Sequence, residues 1–411
     1  MRRFTLATLL ATFTAITPGA FGQCQYEVTA VIQAPECPFT GPPPLTGRSI
    51  NNAGHVVGWY FKCDFSGDIP FLWTPKNGLQ ELDLPVDNVT SARAMDINNN
   101  GAICGRFLAS DDDMGFRAFV ITAEGEFIEI APPEGSNQLE AMALNDAGQV
   151  VGWWTQATTG AMPFLWQDGK FETLPGTQKF YSITAVDINE SGQITGKVRV
   201  NDGDEELAYV WDNGKTTILP PVPPNGIDSN PRALNATGRV TGRGNIPLRD
   251  NPQLSYSHAY AADVEGAQNL GQLPGFEEST AWSIHDNGLI VGQSFTTSNF
   301  GPGTIWHHGA IFDVNDLLIN KNGFFVKGFR DTRSDGALLA FANDENNDTV
   351  AAILEPVDPA LADITGDCEV NVFDLIALLD NWAKTDSFAD IDDNGVVSVV
   401  DLLILLSNWG S

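Results

Sequence analysis

Through most of the chain, short apolar runs alternate with polar turns, and the alternation is periodic. The pattern Ile-Asn-x-x-Gly-x-Val-Val-Gly returns as INNAGHVVG at 50–58, INNNGAICG at 97–105, LNDAGQVVG at 144–152, INESGQITG at 188–196, LNATGRVTG at 234–242 and IHDNGLIVG at 284–292, with a worn copy, TRSDGALLA, at 332–340. The first glycines are Gly54, Gly101, Gly148, Gly192, Gly238, Gly288 and Gly336, spaced 47, 47, 44, 46, 50 and 48 residues apart. Periods of this size mark one supersecondary unit per repeat, in a solenoid or a propeller.

Each unit predicts four short strands, in the second copy at 93–97, 102–107, 117–122 and 126–130. The motif Asn starts the first turn with its side chain, and the Gly takes the positive φ that closes the hairpin. A second hairpin turns at Asn77-Gly78, Glu124-Gly125, Asp168-Gly169 and Asn213-Gly214. Four strands per repeat without a helical period predict an all-β, seven-bladed β-propeller of four-stranded blades over residues 23–356. Small residues stand four before the turn Asn (Gly47, Ala94, Ala141, Ala185, Pro231 and Ala281), as expected where inner strands crowd toward an axis. The seventh copy runs out after three strands, while the segment YEVTAVI at 26–32 stands alone before the first. That segment is expected to supply the missing outer strand and close the ring, leaving fewer open edges. An open β-solenoid is the alternative. The triplets Phe71-Leu72-Trp73, Phe164-Leu165-Trp166 and Tyr209-Val210-Trp211 recur with the repeat, so packing between blades is expected of them rather than a sugar platform.

Over residues 45–355 these motifs resemble the HAF-repeat family of extracellular repeats, whose units carry A-x-x-I-N-x-x-G-x-V-V-G followed by A-F-L-W. The resemblance implies an exported repeat protein and no particular activity. The last copy departs from it, with Arg333 and Ala340 in place of Asn and Gly.

After a linker at 357–362 the pattern changes. Residues 363–374 read DITGDCEVNVFD and residues 390–401 read DIDDNGVVSVVD, an offset of 27 residues that also relates Trp382 to Trp409. Oxygen ligands at loop positions 1, 3, 5, 7, 9 and 12 are what Ca2+ requires. The first loop offers Asp363, Thr365, Asp367, the Glu369 carbonyl, Asn371 and Asp374. The second offers Asp390, Asp392, Asn394, the Val396 carbonyl, Ser398 and Asp401. Each loop leads into an apolar helix, expected at 374–382 and 401–409, with Leu375, Leu378, Leu379 and Trp382 on one face and Leu402, Leu405, Leu406 and Trp409 on the other copy's. An acidic tail without metal is the alternative. Residues 363–411 resemble a type I dockerin, a small α-helical calcium-binding domain that joins exported proteins, often polysaccharide-degrading enzymes, to a cohesin receptor on a scaffold or cell surface. Cys368 replaces the turn glycine at position 6 of the first loop, whereas the second keeps Gly395. Positions 10 and 11, polar recognition residues in cellulosomal dockerins, are Val372, Phe373, Val399 and Val400, which points to an apolar contact with a cohesin-like or other cell-surface receptor.

Charge and cysteines narrow the setting. Arg2, Arg3, the short apolar run at 6–16 and the small residues Ala20 and Gly22 read as a secretory signal over residues 1–22. That run is too short to span a bilayer. The formal charge is −30, and removing residues 1–22 takes away two arginines and no acid, leaving −32. Such a surface repels nucleic acid and anionic lipid, and no membrane insertion is expected. Export permits disulfides, but the five cysteines are an odd count. Cys37 with Cys63 is the favoured pair, Cys24 competes for either, and Cys104, inside an apolar strand, reads as a buried thiol.

The catalytic search finds no HExxH, GxSxG, P-loop or dinucleotide fingerprint. The expected function is therefore a secreted, non-catalytic extracellular binding or structural protein, attached through its calcium-dependent C-terminus, with a glycan or cell-wall ligand at the propeller. The alternative is a polysaccharide hydrolase or lyase on the same scaffold. The loops between second and third strands vary in length and carry Asp111-Asp112-Asp113 and Asp202, Asp204, Glu205 and Glu206, a candidate site for calcium or a cationic partner.

Overall fold

The computed structural model describes residues 25–38, 41–110, 115–156, 159–200, 205–248, 251–307, 309–321, 323–357, 364, 370, 372–384, 389–391, 395–407 and 409. The chain divides into a unit of residues 25–357 and a second unit that holds residues 358–411.

In the first unit the strands form seven four-stranded antiparallel sheets, and in six of them the strands of one repeat pair in sequence order. Blade 1 is Leu45–Ile50, Val56–Phe61, Asp68–Thr74 and Gly78–Glu81; blade 2 is Val89–Ile97, Ile103–Ala109, Arg117–Ile121 and Phe127–Glu129. Blades 3 to 6 follow with innermost strands Ser136–Leu144, Ile183–Ile188, Asn230–Leu234 and Glu278–Ile284. A short helix α1, Val314–Leu317, capped by Asp313, leads into blade 7. That blade has three strands of its own, Phe325–Thr332, Leu338–Asn343 and Thr349–Val357, and its outer strand is Gln25–Ile32 from the other end of the repeat array. The pairing is antiparallel, from Gln25 opposite Val357 to Ile32 opposite Ala351. The ring is a closed seven-bladed propeller, not an open solenoid, and the last strand reaches Val357, one residue into the expected linker.

The core lies between neighbouring blades. Ala143 and Val151 of blade 3 pack with Ile183, Ile194 and Tyr209 of blade 4, and Leu45, Val56 and Phe71 of blade 1 with Leu339, Ala351 and Ile353 of blade 7. Phe71, Phe164 and Tyr209 are fully buried between blades, Trp166 and Trp211 are buried beside them, and Trp73 is part-exposed. Cys37 and Cys63 are joined by a disulfide, and Cys104 is a buried free thiol.

Two features of the repeat have a geometric cause. Every innermost strand carries a bulge at the same place, with register shifts between Gly47/Ser49, Ala94/Asp96, Ala141/Ala143, Ala185/Asp187, Pro231/Ala233, Ala281/Ser283 and Phe329/Asp331. The bulged strand lowers a carbonyl onto the second motif glycine. A Cβ on Gly58, Gly105, Gly152, Gly196, Gly242 or Gly292 would sit 1.8–2.3 Å from the oxygen of Thr46, Arg93, Glu140, Thr184, Asn230 or Thr280. The small residues before the bulge answer to a different neighbour from the one expected. A Cβ on Gly47 would meet Ala351 Cβ at 2.9 Å and Leu339 Cδ1 at 3.2 Å, so the preceding blade, not the axis, limits their size.

In the second unit α2 is Val372–Asp380 and α3 is Val399–Ser407, each starting and ending two residues before the span expected from the apolar pattern. Their core is made of pairs 27 residues apart: Val370 with Val397, Leu378 with Leu405, and at its edge Ile364 with Ile391 and Leu375 with Leu402. Of the residues assigned to one face of each helix, Leu378 and Leu405 are buried, whereas Leu379, Trp382, Leu406 and Trp409 are exposed.

Candidate functional site

The motif Asn does two things at once. Its Oδ1 closes its own turn, accepting from the N–H of His55 (Asn51), Ala102 (Asn98), Gln149 (Asn145), Gln193 (Asn189) and Arg239 (Asn235). Its Nδ2 donates to the carbonyl of the next blade's Asn: Asn51 to Asn98, Asn98 to Asn145, Asn145 to Asn189 and Asn189 to Asn235, at 3.0–3.2 Å. In blade 6 His285 takes both roles: its Nδ1 lies 3.2 Å from the Asn287 N–H and its Nε2 3.2 Å from the Ser334 carbonyl. Ser334 in turn donates to Asn52 and joins blade 7 to blade 1. The short-turn face is thus a hydrogen-bonded belt.

One step inward, Asp96, Asp187 and Asp331 staple three of the same seams a second time. Each accepts from its own following N–H, and each reaches the next blade: Asp96 to Leu144 N (2.9 Å), Asp187 to Leu234 N (2.8 Å), Asp331 to Ile50 N (3.0 Å). Ser49 Oγ bridges Asp96 (2.6 Å) and Asp331 (3.0 Å) with its single proton between them, and Ser283 donates to Asp331 (3.2 Å). Burial, opposed by these N–H donors, pushes Asp187 up to about 8 and Asp331 up to about 6, and raises Asp96. The three also repel one another across non-adjacent blades, as only axial positions allow.

The sign of the pH effect follows. These carboxyls hold protons in the folded state at pH values where the unfolded chain, at the usual carboxylate pKa, has released them. Their contribution to stability is fully present below about pH 4 and is lost as pH rises through about 6 and then 8. The protein should melt a few degrees lower at pH 8.5 than at pH 5, roughly 1–2 °C per kcal/mol for a chain this long. The substitution Asp187→Asn should flatten that slope; melting that rises steadily from pH 5 to 8.5 would contradict it.

The bulged residues lie on the innermost strands, which surround the axis, and Met95 among them packs into the core between blades 2 and 3. Around the ring they are Arg48, Met95, Met142, Val186, Arg232, Trp282 and Arg330. The Arg232 and Arg330 guanidiniums stack on Trp282, 4.4 and 4.2 Å from its ring centre, and Arg330 also lies 4.4 Å from the Phe341 ring. Burial, then repulsion from Arg48 and Arg232, brings Arg330 down to about 9; burial, then Arg243 and Arg48, brings Arg232 down to about 10. Arg48, Arg232, Trp282 and Arg330 remain part-exposed although they sit on innermost strands, so solvent enters the channel. Sequence reading missed this tier entirely.

Of the variable loops, 111–114 and 201–204, with most of the two acid clusters, lie outside the described residues. Glu206 is held by Lys197 and Arg199 at 2.6 and 2.9 Å, so its charge is already matched. On the turn face a groove of about 370 Å³ runs between blades 5 and 6, lined by Arg239, Asn269, Asn287, Trp306 and His307 among others.

Of the C-terminal ligand set, Asp363, Thr365, Asp367, Glu369, Asn371, Asp392 and Asn394 lie outside the described residues. Among the described residues no cluster of three or more His, Cys, Asp or Glu is gathered. Asp374 and Asp401, the two position-12 carboxylates, are fully buried at the starts of α2 and α3. Asp401 accepts from Ile391 N and Ser398 N, both at 2.7 Å, and Asp390 accepts from Gly395 N at 2.7 Å, with Gly395 at φ 92°. Val372, Val399 and Val400 are exposed in the first helical turns, and Phe373 belongs to α2.

No family model matches the chain and no curated protein matches it, so the HAF-repeat and dockerin resemblances rest on their motifs alone. Solved structures do match. The chain is similar to the β-propeller domain of the Trilobed protease from Pyrococcus furiosus, described as having an open velcro topology, with 15% identity over 76% of this chain and 95% of that one and a TM-score of 0.51. This is a likeness of fold. Acylaminoacyl peptidase from Pyrococcus horikoshii matches at 12% identity, 75% of this chain, 51% of its own length and a TM-score of 0.45. TolB from Acinetobacter baumannii matches at 10%, with 74% and 64% covered and a TM-score of 0.40.

Proposed function

We propose that the chain is an exported, non-catalytic binding protein whose C-terminal unit docks, with calcium bound, on a cohesin-like surface or scaffold receptor. The observation that carries the reading is a second apolar stripe on each C-terminal helix, repeated at the 27-residue offset and left uncovered. Val372, Ile376, Leu379 and Trp382 match Val399, Leu403, Leu406 and Trp409, and all are exposed, Leu403 at 61% and Val399 at 57%. Uncovered apolar patches of this kind mark interaction sites. The donor set suits Ca2+: hard oxygens at every ligand position, a glycine at positive φ in the second loop, and two buried carboxylates that gain a counter-charge when the ion binds. Asp363, Thr365, Asp367, Glu369, Asn371 and Asp374 would hold one ion, and Asp390, Asp392, Asn394, Val396, Ser398 and Asp401 the other. Calcium supplies order here, fixing the two loops and with them the relative placement of the stripes.

Calorimetry of the mature chain should show calcium uptake and a gain in helical circular dichroism, and calcium-dependent binding to a cohesin-type module or cell-envelope fraction. The double change Val399→Asp and Leu403→Asp should weaken that binding about a hundredfold, as removal of a central apolar anchor does. Circular dichroism and binding that are both unchanged in excess chelator would refute the reading.

A further inference from the structure

The propeller channel has chemistry that neither the belt nor the staples use. In ring order the bulge tier is cationic and aromatic over blades 5, 6, 7 and 1 (Arg232, Trp282, Arg330, Arg48) and apolar over blades 2, 3 and 4 (Met95, Met142, Val186). A chain of net charge −30 with 22 basic residues gathers three arginines in one tier of one channel.

We propose that this tier is a binding site for an organic anion, a carboxylate or phosphate ester with an apolar body, held by Arg48, Arg232 and Arg330 at its charged end and by Met142 and Val186 along the rest. The bland alternative is a set of structural ion pairs, and the geometry speaks against it. Among the described residues no salt bridge within 4 Å involves any of the three arginines. The nearest candidates, Asp96 and Asp331, already accept from backbone N–H groups and share the Ser49 proton.

Stacking fixes a guanidinium over a ring by its face and leaves its N–H edge free to bind. Three donors on adjoining blades are in that condition: Arg232 Nε, Arg330 Nη1 and Trp282 Nε1 are buried without an acceptor. Buried donors without acceptors destabilise a fold, and so do like charges held together; an oxyanion relieves both. Channel water would satisfy the donors but would leave the three like charges unmatched. Anion binding here does not depend on calcium or a receptor at the C-terminal unit.

The test is calorimetry on the mature full chain with phenyl phosphate, benzoate, inorganic phosphate and the neutral phenyl β-glucoside. Both organic anions should bind one per chain, at least tenfold tighter than inorganic phosphate, and the glucoside should not bind. The substitutions Arg232→Gln and Arg330→Gln should each weaken them tenfold or more. Arg117→Gln, which breaks a pair with Glu129 on the outer strands, should leave affinity unchanged. Should the channel variants fail to fold, crystals of the unaltered protein soaked in 4-bromobenzoate locate the bromine directly, and it is expected beside Met142 and Val186. Undiminished affinity in both arginine variants, no binding of any anion at 10 mM, or bromine outside the channel would each overturn the proposal.

Discussion

Removing residues 25–32 should leave a protein that aggregates or dimerises through blade 7. The deletion uncovers the whole edge of Thr349–Val357, and an unpaired, flat strand edge recruits other strands. It also strips Tyr26 and Ile32, at 3% and 1% exposure, from the core. Two such side chains are worth about 3–6 kcal/mol together, a large part of the roughly 5–15 kcal/mol that holds a typical domain folded. Size-exclusion chromatography should show species larger than the monomer, and thermal melting should fall by more than about 5 °C. A monodisperse truncated chain with unchanged melting would mean that the ring does not depend on this strand.

The second large effect is expected from one methyl group. In Gly196→Ala the new Cβ would lie 1.8 Å from the Thr184 carbonyl oxygen, in the strand pair that forms the inner half of blade 4. Neither backbone can withdraw without breaking pairs, so the cost should reach about 3 kcal/mol, the upper end for overpacked cores. Melting should drop by about 3–6 °C. Gly78→Asn is the control: Gly78 has φ 69°, nothing lies within 4 Å of its Cβ position, and Asn tolerates that conformation. Equal melting of the two variants would show that the bulged carbonyl is not where it is described.

What could be read beforehand was what repeats. The seven Gly turns, the four strands and the stray segment at 26–32 recur or are missing in ways a one-dimensional pattern displays, because each blade meets the same neighbours. The channel tier has no such signature. Arg48, Met95, Met142, Val186, Arg232, Trp282 and Arg330 share no side-chain type. The belt was partly legible. A turn alone is served as well by Asp as by Asn, but five blades have Asn there, and only Asn adds the donor that reaches the next blade. In the C-terminal unit the apolar pattern gave the helices but not which stripe is covered, because two apolar faces on a nine-residue helix look alike in sequence.

The clasp of Gln25–Ile32 on Thr349–Val357 also orders events in time. The first strand of the propeller to be synthesised pairs with the last, so the ring cannot shut until every intervening blade exists. Closing a loop of that length costs entropy that grows only with the logarithm of its size, and six preformed blades shorten the effective loop to the gap between two edges. Wherever the chain folds, the clasp is therefore the last join of the ring, made only once the seventh blade has formed.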